Sequence, residues 1–414
     1  MIAGCALIGY ARGPLIRDQE LENSLMTSVS PNPREQEPRL AAIVLAAGYS
    51  SRMGQFKPLL SVGARTAVEA VVQSFLAAGV LDVCVVLGHR ADDLRPVVEA
   101  AGARCTINSN FDLGMYSSVC AGVAALSTST DACFVTPADI PLVRVGTIRR
   151  LARFYAETGK GIIYPIFNGD RGHPTLISRA ILAEALDRGP DSRLSTLLAA
   201  HEEESSSLFV PDEGIHLDMD TPDDLARVRE LALHREVPSL QECEAILAMY
   251  QPNERVAGHS RMVACVAQQI AVALLERDIK MDPLLARAGG LLHDLAKGKP
   301  DHAAAGAQLL RDLEFDNVAD VVAAHTDCTF TGHKLDEAAI VYLADKLVSG
   351  ERVVGLERRF DNAVDRFREN PVALAAALQR RATAEAIAHQ IENSLGIELP
   401  LLISNLSASE SCSR

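Results

Sequence analysis

The chain has 414 residues, 48% of them apolar, with 54 acidic against 40 basic side chains and a net charge of −14. That length exceeds one ordinary core and predicts two or three domains. The acidic balance, the absence of Trp and an aromatic content of 4% exclude a broad nucleic-acid surface or a stacking platform for single strands. No apolar run reaches membrane-spanning length. Nine scattered Cys, none in a Cys-x-x-Cys pair, fit reduced thiols in a cytoplasm better than a disulfide framework or a thiolate metal site.

Residues 1–39 end in a polar, Pro-rich stretch and read as a flexible leader. The start lacks a basic leader and a cleavage site, so no signal peptide is expected. From 40 to 230, apolar runs at 41–46, 83–88, 132–136 and 161–166 read as strands. They alternate with helical patterns at 66–78, 92–101, 117–126 and 147–157. This alternation predicts an α/β domain, a doubly wound, mostly parallel, Rossmann-like sheet whose ligands bind at the carboxyl ends of the strands. Thr221, Pro222, Asp223 and Asp224 form a helix start. Residues 231–252 read as a linker. From 253 to 400 only helical patterns remain, at 262–276, 283–297, 302–313, 318–325, 336–348 and 371–393, which predicts an all-α domain. Residues 401–414 form a Ser-rich tail.

The first strand opens into a Gly-rich loop that carries Ala46, Ala47, Gly48, Ser50, Arg52, Gly54 and Lys57. Gly48 and Gly54 let backbone N–H groups close on an anion. Arg52 and Lys57 can neutralise a triphosphate and the charge that develops on cleavage. Asp139, between Pro137 and Pro141 after a buried strand, fits either a Mg²⁺ ligand or a turn cap. Asp218 and Asp220 share one face of an extended segment, and Asp220 fits either the same metal or a cap ahead of Thr221. Asn110, Gly114, Ser117 and Ser118 lie where a loop enters a helix, a geometry suited to phosphate. Arg171, Gly172 and His173 form a charged turn that could meet an acceptor. Both of these segments are also compatible with ordinary connections.

Together these segments resemble the MobA-like nucleotidyltransferase superfamily over roughly 40–230. Leu45 to Lys57 is the most specific motif. Pro137-Ala138-Asp139-Ile140-Pro141, Gly114 to Ser118, Gly172-His173-Pro174 and the second Ala of Leu45-Ala46-Ala47-Gly48 are more similar to the molybdenum cofactor cytidylyltransferase branch than to the guanylyltransferase branch. The resemblance implies Mg²⁺ on Asp139 and Asp220 and CTP on the 47–57 loop. A molybdopterin phosphate would attack the α-phosphorus, and pyrophosphate would leave. Arg52, Lys57 and Asp139 would be catalytic.

Six of the eleven His lie after residue 258. A His293-Asp294 step within an apolar helical pattern is costly to bury unpaired, and adjacent helical positions could flank a metal pair. Imidazole with carboxylate suits Fe, Mn, Zn or Co better than Mg, although any single His also fits a helix end or a surface. The ordered set His259, His293-Asp294 and Asp345 resembles the HD-domain phosphohydrolase superfamily over about 253–360, and His302 and His325 match its two-metal subgroup. Residues 291–297 and 339–346 are similar to small bacterial HD proteins that hydrolyse dinucleoside polyphosphates. The resemblance implies one or two transition-metal ions on His259, His293, Asp294, His302, His325 and Asp345. Asp294 would bridge them as a catalytic residue, and water activated there would attack a phosphoester or phosphoanhydride. Lys297 fits either a leaving phosphate or solvent.

The expected protein is therefore a bifunctional cytoplasmic enzyme using CTP or another NTP, a molybdopterin-type acceptor and a possible molybdoenzyme partner. No nucleic-acid or membrane partner is expected. The alternatives are transfer to another phosphorylated acceptor, or a cofactor carrier with a regulatory HD domain.

Overall fold

The computed structural model describes residues 37–50, 53–188, 192–330, 332 and 334–403. The chain divides into two compact units, Met1–Leu233 and His234–Arg414. No described helix is long and apolar enough to cross a membrane.

The first unit is an α/β domain. Its strands are β1 (Leu40–Ala46), a short ribbon of β2 (Ser61–Val62) and β3 (Arg65–Thr66), β4 (Asp82–Leu87), β5 (Arg104–Ile107), β6 (Ala132–Pro137), β7 (Ile162–Phe167), β8 (Asp170–Arg171), β9 (Thr175–Ser178) and β10 (Ser205–Phe209). The main sheet runs β10-β7-β9-β6-β1-β4-β5, with β8 on β7. β1 pairs in parallel with both β4 and β6. β9 is antiparallel to both β6 and β7, and β8 is antiparallel to β7, so the mostly parallel sheet is reversed at these two strands. The core strands are apolar on both faces because helices cover both: Ala41, Ala42, Ile43 and Val44 have no exposed surface.

The unit's helices are α1 (Ala67–Ala77), α2 (Ala91–Ala100), α3 (Met115–Ala124), α4 (Val145–Thr158), α5 (Arg179–Asp187), α6 (Leu194–Ala200) and α7 (Pro222–Leu233). Thr66 and Glu69 start α1 with a capping box. Thr221 and Asp224 exchange the equivalent bonds at the start of α7, at 2.8 and 3.2 Å. α3 packs directly on β1, since a Cβ on Gly122 would stand 2.6 Å from Ile43 Cγ2.

The second unit is helical. It contains α8 (Leu240–Tyr250), α9 (Glu254–Leu275), α10 (Pro283–Leu292), α11 (His302–Asp312), α12 (Asp316–Ala324), α13 (Glu337–Leu347), α14 (Leu356–Phe367), α15 (Pro371–Leu395) and α16 (Leu399–Ile403), with a small ribbon of β11 (Val348–Ser349) and β12 (Arg352–Val353). The stretch read as a linker carries α8. A Ser239–Glu242 capping box starts this helix, and it buries Cys243, Ile246 and Leu247 with Leu291, Leu292 and Phe315. α10 and α9 touch backbone to backbone, because a Cβ on Gly290 would lie 2.6 Å from Ala264 Cα. Cys84, Cys105, Cys120, Cys133, Cys243 and Cys328 are free thiols.

Candidate functional site

The loop after β1 folds back through two left-handed residues, Ser50 (φ 55°) and Gly54 (φ 66°). The bend lets Ser50 Oγ accept the Lys57 N–H at 3.2 Å. Lys57 then buries its side chain and donates from Nζ to Asp139 Oδ2 at 2.9 Å, and more closely to Asp220 Oδ1. The end of β6 is fixed beside the end of β1 by Ala138 N–H donating to Leu45 O at 3.0 Å, which carries Asp139 to the mouth of the loop. Burial works against the Lys57 charge, but the Asp139 and Asp220 carboxylates outweigh it and hold the ammonium above the ordinary Lys range. Burial, followed by the charges of Asp220 and Asp139, raises the Asp218 carboxyl.

This geometry bears on readings that the sequence left open. Asp224, not Asp220, reciprocates the Thr221 cap, and Asp220 reaches the Lys57 ammonium instead. Asp139 also turns to Lys57. Two carboxylates from distant segments converging on one cation form a donor set that a hard divalent ion fits. Lys57, expected to face the triphosphate, here sits between the carboxylates. Arg52 lies outside the described residues.

The other expected contacts divide. Ser117 and Ser118 accept from Asn108 Nδ2 at 2.8 and 3.0 Å, and Asn108 Oδ1 takes the Asn110 N–H at 2.9 Å. Buried Asn108, which the sequence reading passed over, thus organises the loop that holds Asn110, Gly114 and Ser117. Gly114 starts α3 at φ 95°. Gly88 was also missed. A Cβ there would meet Ala47 Cβ, Ala47 O and Phe111 Cβ, all at 2.8 Å, so only Gly lets the loop after β1 lie against the end of β4. Its signal was a glycine closing an apolar strand.

The Arg171 guanidinium forks onto Glu202 at 2.6 and 3.1 Å and lies 4.1 Å from the Tyr164 ring centre. Gly172 packs against Ile215, whose carbonyl accepts the His173 N–H at 3.0 Å. Burial lowers the His173 pKa, and its Nδ1 is buried without a hydrogen-bond partner among the described residues.

In the second unit, His259 lies inside α9 rather than ahead of a helix. The His293-Asp294 step follows the end of α10 in turns, while His302 opens α11 and His325 closes α12. Two ligand-capable groups result, His259/His293/Asp294 and Asp294/His302/His325, with the ligand atoms of each group within 4.8 Å of one another. Asp294 belongs to both. Asp345 Oδ1 stands 3.1 Å from His259 Nε2 and 3.8 Å from His293 Nε2.

The backbone orients the imidazoles. Nδ1 of His259, His293 and His325 faces the carbonyls of Gly350, Gly290 and Val322 at 3.0, 2.8 and 2.6 Å. Nδ1–H donation to those carbonyls leaves each Nε2 lone pair for the cluster. Nε2 of His293, in a side chain with no exposed surface, has no hydrogen-bond partner among the described residues. An orphaned buried nitrogen beside a shared carboxylate fits a metal ligand. Burial opposes the Asp294 charge, but His293 and His325 in their protonated form, together with Lys297, hold its carboxyl far below the usual range. Lys346 and His259 do the same for Asp345 against its burial.

A model of the MobA-like NTP transferase domain matches residues 42–205, and one of the HD domain matches 256–350. The molybdenum cofactor cytidylyltransferase of Escherichia coli (strain K12) is 32% identical over 192 residues, covering 45% of this chain and 94% of that protein. The chain belongs to the MobA-like NTP transferase family. This transferase is also 30% identical over 126 residues to the bifunctional protein GlmU of Pelobacter propionicus, covering 30% of this chain and 27% of that protein. The crystal structure of Rv0371c from Mycobacterium tuberculosis H37Rv is 25% identical with a TM-score of 0.43, covering 47% of this chain and 99% of that one. Lys57 and Asp139 fall inside the matched transferase segment, and all six second-unit ligand candidates fall inside the HD segment. The chain is a MobA-like nucleotidyltransferase joined to an HD domain.

Proposed function

We propose that the first unit transfers CMP from CTP to the phosphate of a molybdopterin-type acceptor, and that the HD domain is a metal-dependent phosphohydrolase. The observation that carries the transferase reading is the convergence of Asp139 and Asp220 on one cation at the mouth of the β1 loop. Mg²⁺ held there would supply charge neutralisation to the triphosphate. The backbone of 47–50 and Gly54 would cradle the phosphates, and Lys57, released from the carboxylates, would stabilise charge on the departing oxygens. An acceptor phosphate oxygen forms the new bond to Pα, the Pα–O–Pβ bond breaks, and pyrophosphate leaves with the electron pair. Gly172 and His173 would position the acceptor. The 32% identity to a molybdenum cofactor cytidylyltransferase supports CTP and the pterin, and a molybdoenzyme would receive the product. A cytoplasmic setting follows from substrates of this kind.

In the HD domain the orphaned His293 Nε2 and the doubly shared Asp294 support a two-ion site of Fe, Mn, Zn or Co. Such ions would activate water for attack on a phosphoester. Lys297, whose Nζ is 3.0 Å from Asp294 Oδ2, would meet the phosphate.

The test presents the full chain with all four NTPs and molybdopterin in Mg²⁺, with products weighed by mass spectrometry. The reading expects a CMP adduct and pyrophosphate in equal amounts. An adduct made from another nucleotide would overturn the CTP assignment. For the HD domain, Mn²⁺-loaded protein should hydrolyse dinucleoside polyphosphates, and Asp294→Asn should not. Equal hydrolysis by both would remove that half.

A further inference from the structure

We propose that Asp212 is a positioning residue that sets the spacing of the Asp139 and Asp220 carboxylates, and hence the grip of the transferase site on its divalent ion. The inference rests on the transferase reading above. Asp212 has no exposed surface. A carboxylate in that position is costly unless donors satisfy it. One oxygen, Oδ2, accepts the Arg144 N–H at 2.8 Å and the Thr147 hydroxyl at 2.7 Å, and Oδ1 accepts the Gly214 N–H at 3.0 Å.

These donors come from two separate stretches of chain. Arg144 and Thr147 belong to the start of α4, five and eight residues after Asp139. Gly214 belongs to the turn Glu213–His216, six residues before Asp220. One side chain therefore staples together the two segments that present the metal carboxylates. The turn is relayed onward, since Leu217 N–H donates to Gly214 O at 3.4 Å and Asp218 N–H to His216 O at 3.1 Å. The same turn offers Ile215 O to His173 N–H, so the staple also fixes the edge of the acceptor strip. The negative charge lies at the first turn of a 14-residue helix, where α4 favours it electrostatically.

A staple of this kind acts on metal affinity more than on chemistry. Asp212→Asn keeps the volume but turns an amide NH₂ or a weaker carbonyl towards N–H donors. Thr147→Val removes one donor without leaving a new buried charge, and so guards against a variant that fails to fold. The experiment measures nucleotidyl transfer and Mn²⁺ binding by the full chain as a function of ion concentration, with CTP present. Asp139→Asn identifies the signal of the transferase site against that of the HD domain. The half-saturating Mg²⁺ or Mn²⁺ concentration should rise about tenfold or more in Asp212→Asn and less in Thr147→Val, with kcat recovering at high Mg²⁺. An unchanged half-saturation in a folded Thr147→Val and Asp212→Asn pair would overturn the proposal. So would a loss of kcat that excess ion does not restore. Absence of transfer in the wild type at every ion concentration would instead overturn the transferase reading itself.

Discussion

Gly290→Ala tests how the HD cluster is assembled. The added Cβ would lie 2.6 Å from Ala264 Cα, 2.8 Å from Ala264 N and 3.2 Å from Val263 C, where ordinary contact begins at 3.4 Å. These are backbone atoms of α9, so no side chain can rotate away and the helices must part by about 1 Å. Overpacking of this sort costs roughly 1–3 kcal/mol, and the better helix propensity of Ala returns up to about 1 kcal/mol. A net loss of about 1–2 kcal/mol lowers the Tm of a unit this size by roughly 2–8 °C. Gly290 also supplies the carbonyl that takes His293 Nδ1–H, and the His259 and His293 rings are centred 5.3 Å apart. Separating the helices should therefore weaken Mn²⁺ binding by about 10–100-fold. Gly306→Ala is the control, because its Cβ would meet nothing closer than Val322 Cγ1 at 3.4 Å. It should be neutral or slightly stabilising. Calorimetry and Mn²⁺ titration of the full chain read both effects. A Gly290→Ala protein as stable as the wild type, with unaltered Mn²⁺ affinity, would refute the reasoning.

Three further outcomes are expected. Elemental analysis should find both ions lost in Asp294→Asn, which serves both groups, but only one lost in His302→Ala; equal retention in the two variants would remove the shared-carboxylate account. Lys57→Met should lower kcat for transfer by about 10²–10³, as loss of a charge-stabilising donor does, while stopped-flow assays should show CTP still binding; turnover within twofold of wild type would exclude a role for the ammonium. His201 links Glu204 at 2.7 Å and Glu184 at 2.9 Å, and those carboxylates, Glu204 first, raise its pKa. A raised folded value means that its stabilisation is complete below the unfolded pKa near ~6.5 and is lost as pH rises through the folded pKa. His201→Gln should flatten the Tm-against-pH curve over that window, and an unchanged curve would discount the clasp.

Much of the α/β unit was legible because its central strands are uniformly apolar. β1, β4, β6 and β7 all start and end within one residue of their sequence reading. β5, β9 and β10 were not. They have only four or five residues, and β10 begins Ser-Ser-Ser, a composition that marks a loop unless a neighbouring strand supplies the pairing. α8 was hidden for a related reason: its apolar face finds a partner only in the cluster around Leu291 and Phe315. Within the sites, charged residues at motif positions could be named from sequence, but their geometry could not. Asp220 also fits a cap until Asp224 is seen closing on Thr221, and the Glu202 that pairs with Arg171 could not be named from sequence. Gly88 and Asp212 act partly through segments far away in the chain, Ala47 and Phe111 for the one and Arg144 and Thr147 for the other, and Asn108 through the Ser117 and Ser118 hydroxyls, partners that the sequence pattern does not display.

The central claim is that Lys57, Asp139 and Asp220 frame a centre for nucleotidyl transfer. It is tested most directly by following ³¹P resonances of CTP and molybdopterin with Mg²⁺ in wild type, Asp139→Asn and Asp220→Asn. The wild type should convert the γ- and β-phosphate signals to pyrophosphate as a new phosphodiester signal grows, with neither variant doing so. Pyrophosphate appearing at the wild-type rate in both variants would contradict the account.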